Sequence, residues 1–341
     1  MSWYSQHGPD QDIVISTRVR LARNIVGFPF PHLLNEEQSE KLINMINDSV
    51  NTIDPNSFHL IRFNNISEID KLAFTERHII SPQLLKNCSE KALIINSDED
   101  LSIVISDEDH MRIQGICAGF EPDKCFDKTK KLAVALEGIL NIAYDQEFGY
   151  LTACPTNVGT GLRISALLHV PGLYRLDQLK YLIDSIRRSG YTVRGYFGEG
   201  SSEKGQMIQI SNQITLGQSD TTLIEKFKSM LQMFIEKERK ARKIWYQERT
   251  IQLEDKIYRS EAILKNALLI SYDETFEHLS NLRLGKSLEL EDFPDYPEIL
   301  TLSYLVGVGS IQKLEGEKLN GAQRDEVRAK LIKNTLINKN K

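Results

Sequence analysis

Along the first two thirds of the chain the spacing of apolar residues changes repeatedly. Leu42, Ile43, Ile46 and Val50 recur at helical spacing, Asn35 stands at a cap position, and acids fill the first turn. This predicts a helix over Asn35–Val50. Leu132, Leu136, Ile139, Leu140 and Ala143 predict a second over Lys131–Tyr144. Leu179, Leu182, Ile183 and Ile186 predict a third over Asp177–Ser189, with Gly190 at C′. Between them lie apolar runs of strand length: Ala92–Asn96, Leu101–Ser106, Met111–Cys117, Ile164–Val170 and Gln206–Ser211. Ser97–Asp100 separates the first two by a hairpin spacing. There is no regular βαβ alternation. The expected fold class is therefore α+β, a largely antiparallel sheet flanked by helices.

Beyond Leu223 the spacing is helical to about Ile270, through Phe227, Leu231, Phe234, Ile251, Ile257, Ile263 and Leu268. Leu300–Val308 is the most apolar stretch there, suited to a buried helix or a partner surface. Charge density marks a boundary. The last 106 residues hold 19 Lys+Arg and 18 Asp+Glu; the first 235 hold 23 and 29, with all four cysteines and 15 of the 20 glycines. Two domains are expected, 1–235 and an all-helical 236–341.

The net charge of −5 argues against general nucleic-acid binding. No run of about 18 apolar residues suggests a membrane span, and the first residues lack a signal-peptide pattern. Cys88, Cys117, Cys125 and Cys154 show no CxxC spacing, so free thiols in the cytoplasm are expected rather than a zinc site. A P-loop, GxGxxG, HRD, DFG, HExxH and GxSxG are all missing.

Four segments carry candidate chemistry. In Ser16-Thr17-Arg18-Val19-Arg20, strand alternation would project Arg18 and Arg20 together, an arrangement that favours an intervening phosphate. Ser106-Asp107-Glu108-Asp109-His110, followed by Arg112, offers carboxylates for a cation or a metal–nucleotide. Cys154-Pro155-Thr156-Asn157-Val158-Gly159-Thr160-Gly161-Leu162-Arg163 sets a thiol before an arginine entering a strand; nearby arginines would favour its thiolate. Arg194-Gly195-Tyr196-Phe197-Gly198-Glu199 opens a glycine-rich loop able to act as a lid. Taken singly, each also reads as an edge strand, a polar turn, an incidental cysteine or a solvated hairpin.

Together and in this order they resemble the signature set of the phosphagen (ATP:guanidino) kinases, SSRVR, NEEDH, CPTNLGT…R and RGxxGE, over about residues 11–215. The family's helical domain of about 100 residues before SSRVR has no counterpart here. A charged helical region follows instead, and its Arg324-Asp325-Glu326-Val327-Arg328-Ala329 is similar to the RDxxR[PA] motif of bacterial protein arginine kinases.

The resemblance implies transfer of the ATP γ-phosphoryl group to protein arginine. ATP-binding residues would be Ser16, Thr17, Arg18, Val19, Arg20, His78, Arg112, Arg163, Ile164, Ser165, Ala166, Leu167, Arg194, Gly195, Tyr196, Phe197 and Gly198. Glu108, Glu199 and Cys154 would bind the substrate guanidinium and act in catalysis. Mg2+ would travel with ATP, with Asp107 touching it through water. Arg324–Ala329 would form a phosphoarginine pocket that regulates activity. Protein substrates with exposed arginine, a zinc-finger activator protein, a stress-response transcriptional repressor, a Clp-type protease and a homodimer are the implied partners. Two other readings stand beside this one: a kinase of a free small guanidino compound, and a catalytically reduced phosphoarginine-binding adaptor.

Overall fold

Alternation governs β1 (Val14–Arg23) in the computed structural model, which describes residues 2–86, 88–196 and 205–337. Val19 and Leu21 turn to one face and are fully buried; Arg18 and Arg20 turn to the other. β1 lies inside an eight-stranded sheet with β2 (Phe58–Arg62), β3 (Ala92–Asn96), β4 (Leu101–Ile105), β5 (Met111–Ala118), β8 (Leu162–His169), β9 (Tyr191–Arg194) and β10 (Met207–Asn212). The order is β2-β3-β4-β5-β1-β8-β10-β9, and neighbours pair antiparallel. A separate hairpin joins β6 (Tyr144–Asp145) to β7 (Gly149–Tyr150). The α+β expectation holds.

One face of the sheet is covered by α1 (Glu36–Ile53), α3 (Pro122–Glu137), α5 (Leu179–Arg188) and α6 (Asp220–Glu248), whose apolar stripes meet Val19, Leu21, Ile113, Ile164 and Ile210. Asn35 caps α1 as expected, in a reciprocal box with Gln38. The second helix differs from its expected span of Lys131–Tyr144. Pro122 opens α3 at its first turn, Gly138 ends it, and Tyr144 enters the hairpin.

Among the described residues the opposite face is covered only in part. At one side α2 (Glu68–Glu76) and the turn after it pack Phe74, Ile79 and Ile80 onto Leu93, Ile95 and Val104. At one end Ile116, Leu167 and Met207 join a core built by the C-terminal helices. These are α7 (Thr250–Asn266), α8 (Tyr272–Ser287), α9 (Tyr296–Leu305), α10 (Val308–Glu315) and α11 (Gly321–Ile337), following the short α4 (Pro171–Arg175) and the long α6. The helical run expected from Leu223 to Ile270 breaks at Arg249, between α6 and α7. The change in charge density at residue 236 falls inside α6. Leu300, Leu302, Tyr304 and Val306 are buried within the chain, so Leu300–Val308 is core.

Candidate active site

Register assembles the uncovered part of that second face. Arg20 lies opposite Gln114 on β5 and Arg163 on β8; Ala22 lies opposite Arg112; Arg18 lies opposite Ser165. Gln209 on β10 lies opposite Leu167 and Arg194, which brings β9 onto the same face. Directly paired residues share a face, so five arginines from four strands point one way. Arg18, Arg20, Arg112, Arg163 and Arg194 line one cavity with Thr75, His78, Asp107, Glu108, Gln114, Asn157 and Gln209. A narrow extension is lined by Ser16, Ser165, Leu167 and Tyr196.

The cavity is strongly cationic. Burial, and then Arg112 and Arg163, push the Arg18 pKa down to about 10. Burial, and then Arg18, push Arg20 well below its ordinary range. Counter-charges are few: Asp107 pairs with Arg112 and lies 3.4 Å from Lys91 Nζ. Among the described residues, the buried Nε donors of Arg18, Arg20 and Arg112 have no acceptor. Burying donors in this way is unfavourable unless a ligand completes them. A polyphosphate fits: it supplies many acceptor oxygens and the missing negative charge. Gly161 shapes the rim, with φ +65° and no room for a Cβ against Ala22 O at 2.7 Å.

The acidic turn divides into working and scaffolding parts. Asp109 is buried and accepts from Asn24 Nδ2 at 2.7 Å and from Ala153 N at 2.8 Å. His110 is buried, accepts from Ile25 N at 3.0 Å, and sits 2.7 Å from Pro29 O. With both anchored, Glu108 is left exposed on the cavity wall. The Asp109–Ala153 bond ties this turn to the Cys154 segment. Cys154 is half-buried with Sγ 3.0 Å from Thr156 Oγ1; it does not line the cavity, whereas Asn157, Gly161 and Arg163 of the same segment do. His78, at φ 59°, offers its carbonyl to Arg18 Nη1 at 3.2 Å. Burial, and then Arg18, lower its pKa to about 3.

Not every residue of the expected segments reaches the cavity. Thr17, Val19, Ile164 and Ala166 alternate onto the core face; Thr17 donates to Gly119 O at 2.7 Å. Gly195 joins β9 to Tyr196, whose ring packs 4.7 Å from that of His78. Phe197, Gly198 and Glu199 lie outside the described residues. Gln114 and Gln209 stand among the arginines without having been anticipated; a lone glutamine in a strand carries no signal until the register is known.

The Arg324–Ala329 segment opens α11, away from this cavity. Arg328 is buried and donates to Val306 O at 2.9 Å, to Ile270 O at 2.8 Å and to Asp325. Arg324 is half-buried and donates to Leu319 O at 2.8 Å. Val327 is half-buried and Ala329 buried, while Glu326 is exposed and pairs with Lys330 at 2.6 Å.

Comparison with known proteins gives the same picture from an independent direction. Residues 34–241 match the ATP:guanido phosphotransferase C-terminal catalytic domain, and residues 250–341 match the protein-arginine kinase McsB C-terminal domain. β1, with Arg18 and Arg20, precedes the first match, but the full-length relatives include it. A protein-arginine kinase from Pelotomaculum thermopropionicum is 38% identical, the alignment covering 98% of this chain and 96% of that protein. One from Geobacillus sp. is 39% identical over 98% of this chain and 93% of that protein. Among solved structures, the duplicated taurocyamine kinase from Schistosoma mansoni superposes with a TM-score of 0.61 at 23% identity, over 67% of this chain and 33% of that one, which shows a shared fold. The chain belongs to the protein-arginine kinases, within the ATP:guanido phosphotransferase family.

Proposed function

We propose that the chain transfers the γ-phosphoryl group of ATP to the guanidino group of arginine residues in proteins. The observation that carries this reading is the set of buried, acceptor-less guanidinium donors beside an exposed Glu108. Arg18, Arg20, Arg112, Arg163 and Arg194 hold the phosphates and neutralise charge in a loose transition state, which needs mainly positioning and electrostatics. Ser16, Ser165, Leu167 and Tyr196 bound the narrow end of the nucleotide site. A Mg2+ ion bound with the nucleotide would neutralise phosphate charge, and Asp107 on the wall would hold it through a water.

The incoming guanidinium is protonated, its pKa being about 12.5–13.8. Glu108, with Glu199, orients one nitrogen in line with the phosphorus. Glu108 takes the proton as the N–P bond forms and the bond to the departing ADP oxygen breaks. Cys154 tunes the guanidinium site, its segment being tied to the acidic turn by the Asp109–Ala153 bond. Arg324 and Asp325 read phosphoarginine, while Arg328 shapes that pocket. The chain works in the cytoplasm as a homodimer, for which the exposed Leu268 and Leu269 offer apolar surface. Its partners are a zinc-finger activator protein, a stress-response transcriptional repressor and a Clp-type protease. The two domains are 1–235 and 236–341.

The test is acid-labile phosphate incorporated from labelled ATP into a protein with exposed arginines, beside free arginine. Wild type labels the protein. Glu108→Gln loses about 10²–10⁴-fold in rate with ATP affinity and melting temperature unchanged. Normal turnover by Glu108→Gln overturns the base assignment. Equal use of free arginine favours the small-substrate kinase, and nucleotide or phosphoarginine binding without transfer favours the adaptor.

A further inference from the structure

Glu76 ends α2 in a place that disfavours a carboxylate. It is 6% exposed, and burial raises its pKa above the usual range. Its oxygens are held by neutral donors: Gly309 N at 2.8 Å, Ser310 N at 2.9 Å and Ser310 Oγ at 2.9 Å. These are first-turn groups of α10, 233 residues further along the chain. Glu76 therefore caps a C-terminal helix from the catalytic sheet's side, as an anion suits a helix N-terminus. The fit is close. A Cβ on Gly307 would run into the Glu76 carboxylate, and one on Gly309 would lie 2.6 Å from Ala73 N.

Residues just before and two after Glu76 belong to the cavity. Thr75 and His78 line it, and the His78 carbonyl accepts from Arg18. His78 holds a left-handed backbone that a non-glycine residue keeps only where its surroundings impose it. The His78 ring also packs 5.9 Å from that of Tyr304 on α9. Val306 and Gly307 join α9 to α10, and the Val306 carbonyl is held by Arg328. One short junction thus has Glu76 on one side, Arg328 on the other, and Tyr304 just before it against His78.

We infer that Glu76 is a positioning residue for the nucleotide: by anchoring α10 it fixes the turn that presents His78 and the acceptor for Arg18. The inference rests on the reading that this cavity takes ATP. Without the anchor the turn is free to relax, and Arg18 loses its fixed acceptor among like charges. Nucleotide affinity then falls, while the chemistry of nucleotide already bound does not.

The experiment compares full-length wild type, Glu76→Ala, Glu76→Gln and Lys313→Ala. Lys313 pairs with Asp70 at 2.8 Å across the same α2–α10 contact, at the surface. Nucleotide binding is followed by titration with a fluorescent ATP analogue, transfer by KM and kcat, and amide exchange at Gly309, Ser310 and His78. Glu76→Ala is expected to raise KM for ATP about tenfold with kcat within about twofold, and to speed exchange at all three amides together. Glu76→Gln keeps one carbonyl acceptor and is expected to fall between; Lys313→Ala is expected to match wild type. If Glu76→Ala does not fold, Glu76→Gln and Ser310→Ala carry the test. An unchanged KM in a folded Glu76 variant, a loss confined to kcat, or an equal effect of Lys313→Ala overturns the inference. A wild type that binds the analogue but labels no protein overturns the proposed reaction and leaves the Glu76 result readable from the titration alone.

Discussion

Two sets of buried arginines divide this molecule. On the sheet, Arg18, Arg20 and Arg112 keep buried Nε donors without acceptors among the described residues, and press on one another. In the helical part, Arg242 donates to Glu238 at 2.7 Å, to His169 O at 2.8 Å and to Asp12 O at 3.1 Å. Glu238 in turn accepts from Gly172 N and Leu173 N. Arg328 is likewise satisfied by two carbonyls and a carboxylate. The same planar cation is a strut where the protein supplies its acceptors and a binding element where it does not. The difference lies in the acceptor set and in access to the cavity: Arg18, Arg20 and Arg112 are half-buried on its wall, whereas Arg242 and Arg328 are enclosed.

Substitution should separate the two sets, and the largest effect is expected at Arg20. Arg20→Ala should lower phosphoryl transfer about 10²–10³-fold with no loss of stability in the ligand-free protein, because it removes a desolvated, repelled charge. The same variant should lose the stabilisation that nucleotide gives wild type, about 2.7 kcal/mol at a hundredfold excess over Kd. Arg328→Ala should do the reverse. Leaving two buried carbonyls and the half-exposed Asp325 without their donor should cost about 1–3 kcal/mol, read as a shift of the urea midpoint at constant slope. Equal destabilisation by both substitutions would remove the distinction.

That distinction was only half legible in the sequence. Alternation put Arg18 and Arg20 on one face, and the capping pattern at Asn35 gave a helix start, because both are local rules. The meeting of Arg112, Arg163 and Arg194 on that face depends on strand register across about a hundred residues of separation, which local pattern does not carry. For the same reason the segment Ser16–Arg20, read as a block, took in Thr17 and Val19, which the strand turns into the core. Gln114 and Gln209 were invisible until their strands were paired. Pro122 was a readable start signal for α3, outweighed by the apolar spacing further on. Nothing local distinguishes Glu76 from other acids in the sequence; what makes it a cap is a helix end 233 residues away. Arg328 is read as part of a phosphoarginine pocket by resemblance alone; of its three protein acceptors Asp325 lies on the same helix, while the Val306 and Ile270 carbonyls are distant in sequence and carry no local signal.

The smallest expected effect concerns histidines beside the two arginine sets. His78 lies beside Arg18, and His169 beside Arg242 and Arg283; burial first, then these cations, lower both pKa values. His78 also faces the rings of Tyr196 and Tyr304, which stay neutral near pH 7 because burial raises both. A base whose folded pKa is lowered leaves its proton to the unfolded chain. The unfolded histidine protonates near pH 6.5, whereas folded His78 waits until about 3. Stability from keeping it neutral is therefore complete above about pH 6.5 and declines as pH falls below that, by up to about 1.4 kcal/mol per pH unit for one histidine. Asparagine tolerates the left-handed backbone at this position and does not titrate. Urea unfolding of wild type and His78→Asn between pH 7.5 and 5 should give curves that converge as pH falls, with the wild type steeper. Parallel curves for the two proteins would mean that His78 does not titrate differently on folding, and that the unmatched charge of Arg18 is already met by the protein.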